Sequence, residues 1–138
     1  MKLSIYTDGG ARGNPGIAGC GFIVVDENGL QIHQHSQFLG TKTNNEAEYI
    51  GLITALKWLG DNQSIHQVTK TTIFMDSQLI VRQMQGKYKI KAPNLKMYYQ
   101  QAINLLSQIT PPLAFQDIPR HKNKIADALA NQAMDKGK

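Results

Sequence analysis

The sequence predicts an α/β fold, a five-stranded mixed sheet of three antiparallel strands and then parallel strands, with helices on both faces. Three observations predict it. Strand-like alternation and helix-like periodicity follow one another in the order βββαβααβα. The first three strands have no helix between them, which suits an antiparallel meander. Each later strand follows a helix, which lets it run parallel to the first. The 138 residues suffice for one domain with a substantial core, so a single domain over 1–138 is expected.

Leu3-Ser4-Ile5-Tyr6-Thr7 alternates and ends at Asp8. Gly9 to Gly21 is glycine-rich and reads as a wide turn that lets backbone come close to something. It is no Walker loop, since no Gly-Lys-Ser/Thr follows, and no dinucleotide fingerprint, since it leads into a strand. Phe22-Ile23-Val24-Val25 is the second strand, and Asp26-Glu27-Asn28-Gly29 is a hairpin turn with a favoured Asn-Gly pair. Leu30 to Leu39 is the third strand, polar on one face through Gln31, His33 and His35, hence at an edge or half exposed. Its two histidines read as solvated residues rather than a metal pair.

A helix opens in Thr43-Asn44-Asn45-Glu46-Ala47-Glu48-Tyr49 and runs to about Leu59, with Asn44 or Asn45 as its cap. Gly60 to Lys70 is a polar connection, Thr71 to Met75 a strand ending at Asp76, and Ser77 to Met84 a short helix. Gln85 to Pro93 is a loop with Lys87, Lys89 and Lys91 on alternate positions. Asn94 is expected to cap a helix to Ile109, which Pro111 and Pro112 stop. Leu113 to Ile118 is the fifth strand, Pro119 to Asn123 a loop, and Lys124 to Met134 the last helix.

Composition is that of an ordinary soluble protein. No apolar run approaches the ~20 residues of a membrane span, and no signal-peptide core follows Met1, so a cytoplasmic protein without a membrane partner is expected. Cys20, the single cysteine, reads as a small core residue. A net charge of +5 suggests a polyanionic partner only weakly.

One carboxylate stands where a charge is costly. At 100° per residue, Glu48 falls inside the apolar stripe of Leu52, Ala55, Leu56 and Leu59, whereas Glu46 falls opposite and reads as a solvated first-turn residue. A buried carboxylate needs a partner, and a metal ion is one. Ile5-Tyr6-Thr7-Asp8 and Ile73-Phe74-Met75-Asp76 end alike, so parallel neighbouring strands would deliver both aspartates to one sheet edge, where α/β sites form. Asp127 interrupts an otherwise apolar helix start. Each aspartate has a bland reading as turn residue or dipole partner; the four carboxylates together do not. Clustered carboxylates call for a counter-charge, and hard oxygen ligands suit Mg²⁺ or Mn²⁺.

The chain resembles the ribonuclease H type 1 family over essentially its whole length. The matching stretches are Tyr6 to Gly16, Thr43 to Glu48, Asp76-Ser77-Gln78 and Asn123 to Ala130, in the family's order. The resemblance implies the ribonuclease H-like fold. It implies a catalytic and metal-binding set of Asp8, Glu48, Asp76 and Asp127 with two Mg²⁺ ions, Mn²⁺ being an alternative. It implies endonucleolytic cutting of the RNA strand of an RNA–DNA hybrid, leaving 5′-phosphate and 3′-hydroxyl ends. It further implies minor-groove contacts from Asn14, Asn44 and Asn45, and a DNA-strand phosphate held at Thr43. Asn side chains donate and accept, which suits a wide minor groove displaying 2′-hydroxyls.

The chain departs from the family in two places. The long basic, Trp-containing protrusion of some members is here the short Gly86 to Pro93, whose lysines either track phosphates or are solvated. The family's mobile histidine before the last aspartate matches His121, with Arg120 as its rival. A non-catalytic nucleic-acid-binding module of the same fold is the alternative, disfavoured because carboxylates without metal repel phosphate. Nothing demands a protein partner, and a monomer is expected.

Overall fold

The computed structural model describes residues 1–137; Lys138, the last residue of the expected domain, lies outside them. Strands β1 (Lys2–Gly13), β2 (Gly16–Asp26) and β3 (Gln31–Lys42) precede helix α1 (Asn44–Asn62). Strand β4 (Lys70–Met75), helices α2 (Gln78–Met84) and α3 (Pro93–Leu106), strand β5 (Leu113–Asp117), a 3-10 turn (Arg120–Lys122) and helix α4 (Lys124–Lys136) follow. The sheet order is β3-β2-β1-β4-β5. The β1–β2 and β2–β3 pairs are antiparallel and the β1–β4 and β4–β5 pairs parallel, which is the expected mixed sheet. Among the described residues, no helix is long and apolar enough to cross a membrane.

The helices lie on both faces. Leu3, Ile5, Phe22, Val24 and Ile73 pack against Leu52, Leu56 and Leu59 of α1 and Leu95, Tyr98 and Ala102 of α3 in one core. On β2, a Cβ at Gly19 or Gly21 would run into Ala130, Ala133 or Leu129 of α4, whereas Cys20 between them meets Gly51 of α1. Alternate strand residues face opposite sides, so α1 and α4 sandwich the sheet. Ser36 Oγ donates to Leu129 O at 2.6 Å and ties β3 to α4.

The wide turn expected from Gly9 to Gly21 does not exist. These residues extend β1 and β2 into one long hairpin, paired from Leu3↔Asp26 to Gly13↔Gly16, with Asn14-Pro15 as its tip. Gly9, Gly19 and Gly21 are there for helix packing, since a Cβ at Gly9 would strike the Ala47 carbonyl of α1, whereas Gly13, at a φ of +93°, and Gly16, close against the Arg12 carbonyl, shape the hairpin tip. The caps also differ from expectation. Thr43 caps α1, its Oγ1 accepting from Glu46 N at 3.2 Å while Glu46 Oε1 accepts from Thr43 N at 3.0 Å. Neither Asn44 nor Asn45 is the cap, and Glu46 has a structural role in the capping box. Helix α3 starts with Pro93 in its first turn and no side-chain cap, so Asn94 lies within the helix.

Candidate active site

The β1–β4 register pairs Tyr6 with Phe74. Two residues further along each chain lie Asp8 and Asp76, so the parallel pairing delivers both aspartates to the same edge. Glu48, in the first turns of α1, is buried with the rest of its stripe. Asp8, Glu48 and Asp76 each offer an oxygen within 4.8 Å of the other two. Asp127, in the first turn of α4, lines the same cleft, which has a volume of about 480 Å³.

This arrangement is electrostatically unfavourable without a cation. Asp8 and Glu48 are each only 7% exposed. Burial pushes the Asp8 carboxyl from 3.8 up to about 7, with the Asp76 and Asp127 charges adding to the rise against a lowering hydrogen bond with Glu48. Glu48 is also raised well above its ordinary value, first by burial and then by the Asp8 charge. Asp76 is raised by burial, and hydrogen bonding from Asn123 and the Arg120 charge partly offset this. Glu48 Oε2 is buried without a hydrogen-bond partner among the described residues. An orphaned carboxylate oxygen facing a ring of hard oxygen donors fits a divalent cation of the Mg²⁺ or Mn²⁺ kind.

The residues expected to meet substrate surround this cleft. Asn14 Oδ1 at the hairpin tip accepts from Asn44 N at 3.0 Å, and Asn44 Oδ1 accepts from Ala11 N at 2.8 Å. These two bonds lock the hairpin against the start of α1. Asn44 and Asn45 line the carboxylate cleft, and with Asn14, Thr43 and Asn94 they also line an adjoining cavity of about 420 Å³. A further groove holds Lys89, Lys96, Tyr88 and Tyr99.

His121 is not brought to the carboxylates. It lines a separate cavity with Tyr6, Ile23, Val25 and Ile125, while Arg120 lines the carboxylate cleft. The 3-10 turn separates them: adjacent residues in so tight a helix point in different directions. Asn123, absent from the expected site residues, also belongs to the site. It is 1% exposed, and its Nδ2 donates to Thr7 O at 3.0 Å, anchoring the turn beside Asp8. The one available signal was its place at the head of the Asn123 to Ala130 stretch.

A family model described as reverse transcriptase-like matches residues 6–133. The structure of LC11-RNase H1 in complex with RNA/DNA hybrid is 46% identical, with a TM-score of 0.90, and the match covers 98% of each chain. The chain belongs to the ribonuclease H type 1 family. RNase H1 of Halobacterium salinarum is a second such structure, 34% identical, with a TM-score of 0.90 and 99% of each chain covered. The bifunctional protein Rv2228c of Mycobacterium tuberculosis is 43% identical over 136 residues, which is 98% of this chain and 36% of that protein. The chain therefore spans about a third of the length of that relative.

Proposed function

We propose that the protein hydrolyses the RNA strand of RNA–DNA hybrids, cutting internally and leaving 5′-phosphate and 3′-hydroxyl ends. The convergence of Asp8, Glu48 and Asp76 within 4.8 Å at the ends of two parallel strands carries this reading. Asp8, Glu48, Asp76 and Asp127 are the residues to hold two Mg²⁺ ions, with Mn²⁺ as an alternative. Once bound, such ions activate a water and stabilise the leaving oxygen in phosphodiester hydrolysis. The protein's own contribution is placement. Asn123 holds the Arg120 turn beside Asp8, and Arg120 sets a positive charge at the cleft wall for the phosphate group under attack.

Asn14, Asn44 and Asn45 present donors and acceptors next to the carboxylates, which suits the 2′-hydroxyls and base edges of a wide minor groove. Thr43 lies in the adjoining cavity with Asn94, a neutral polar setting for a phosphate of the DNA strand. Lys89 and Lys96, with Tyr88 and Tyr99, extend this surface in place of a larger basic protrusion. All these groups come from one chain, so a monomer suffices, and the buried single thiol of Cys20 suits a reducing cytoplasm.

The test is cleavage of an RNA–DNA hybrid by the parent protein and by Asp76→Asn, with circular dichroism to verify the fold. Loss of nearly all Mg²⁺-dependent cutting in a folded variant supports the assignment, and turnover like the parent's overturns it.

A further inference from the structure

We propose that Arg12 anchors a second phosphate subsite, for a backbone phosphate of the bound hybrid further along the cleft than the bond at the carboxylates. This rests on the hybrid-cleavage reading above. Arg12 and Arg120 are the two cationic residues among the described residues lining the carboxylate cleft. Arg120 serves the end near Asp76, whose carboxyl its charge influences. Arg12 serves the other end, where the β1–β2 hairpin crosses α4. Its NH1 lies 2.7 Å from Asp135 Oδ1, and its NH2 donates at 3.4 Å to both Asn131 O and Asn131 Oδ1. Asp135 is two helical turns beyond Asp127, about 12 Å along α4. Asn131 lies one turn beyond Asp127, so the Arg12 guanidinium is held roughly 6–12 Å along α4 from Asp127, placed for a phosphate further along the cleft.

Two features mark this guanidinium as held in reserve for an anion. The pair is exposed, 37% for Arg12 and 61% for Asp135, so water weakens it and a phosphate can replace Asp135 at little cost. The Asn131 bonds are at the long limit for hydrogen bonding and use one nitrogen of a group with five donors. A planar guanidinium suits a phosphate, which it can grip with two parallel bonds. Asp135 then acts as a stand-in for the substrate and, once displaced, as a repulsive neighbour.

That role makes a prediction of sign. Binding of a fluorescently labelled RNA–DNA hybrid is measured by anisotropy in the Asp76→Asn background with Mg²⁺, across a range of salt. Arg12→Gln is expected to weaken binding roughly tenfold, as for loss of a charge-assisted contact. It should also reduce the slope of log K against log salt by about 0.7–0.9, the share of one phosphate. Asp135→Asn is expected to strengthen binding, and Arg12→Lys to restore most of the slope. A mere tether between hairpin and α4 predicts otherwise: both substitutions weaken binding, with the slope unchanged, and that result overturns the subsite. Should the Asp76→Asn parent fail to bind hybrid, the hybrid-cleavage reading falls and the subsite with it; should it bind while the two substitutions act alike, the subsite alone falls.

Discussion

Asp8→Asn is expected to stabilise the metal-free protein while ending its cleavage. The Asp8 carboxyl sits at about 7 in the fold against an ordinary 3.8. Between those values the folded state holds a proton that the unfolded chain has released, so stability falls as pH rises through that window. By pH 8 the loss is on the order of 4 kcal/mol, from roughly three pK units at 1.36 kcal/mol each. Geometry leads to a similar magnitude. Two carboxylate oxygens at the 4.8 Å limit of the cluster repel by roughly 3–4 kcal/mol at an effective dielectric constant of ~20. Asparagine removes the charge, and its amide can donate to Glu48, whose Oε2 makes no hydrogen bond among the described residues.

The expected gain is about 3 kcal/mol, or roughly 10 °C in melting temperature for a chain of this size. The assay is thermal or urea unfolding of both proteins in EDTA at pH 8 and pH 5. Lowering the pH from 8 to 5 returns roughly two of those three units to the parent, about 2.7 kcal/mol, so most of the difference should disappear at pH 5. Saturating Mg²⁺ at pH 8 should stabilise the parent more than the variant, because the variant lacks one ligand. Equal stability at pH 8 in EDTA, or the same gain at both pH values, would refute the reasoning.

Two further predictions separate neighbouring residues, and a third concerns Cys20. Glu46→Ala removes half of the capping box and should cost about 1 kcal/mol of stability with cleavage within about twofold of the parent; Glu48→Gln should keep the fold and lose cleavage. Steady-state kinetics should show Arg120→Gln lowering kcat by at least about tenfold, as for loss of a charge-stabilising group, while His121→Ala stays close to the parent. Cys20 is buried with its thiol pushed up to about 12 by that burial, so maleimide should label it at pH 8 only after denaturation.

The sheet and the carboxylates were legible because each rests on a local pattern with a geometric consequence. Two strands ending in aspartate, read as parallel neighbours, imply juxtaposition, and a glutamate in an apolar stripe implies burial. The structure bears out both. The glycine-rich hairpin reads as a wide turn because a glycine needed for a loop and a glycine needed under a helix look the same in sequence; Gly19 and Gly21 are explained only by α4 crossing β2. Asn44 and Asn45 read as the α1 cap because they precede an apolar run, yet Thr43 with Glu46 three residues on has the capping-box spacing. Which of Arg120 and His121 lines the carboxylate cleft depends on the direction of side chains in a three-residue turn, which no periodicity encodes. Asn123 and Arg12 act through partners more than a hundred residues away in sequence, beyond the reach of local pattern.

The central claim is that these carboxylates cut RNA within a hybrid. One sequence is prepared as end-labelled RNA–DNA, RNA–RNA and DNA–DNA duplexes and incubated with the protein in Mg²⁺ and in EDTA. The expected result is internal cutting of the RNA strand, in the hybrid only and with metal only. Binding of the hybrid without cutting in Mg²⁺ or Mn²⁺ would contradict the claim and leave a nucleic-acid-binding module in its place.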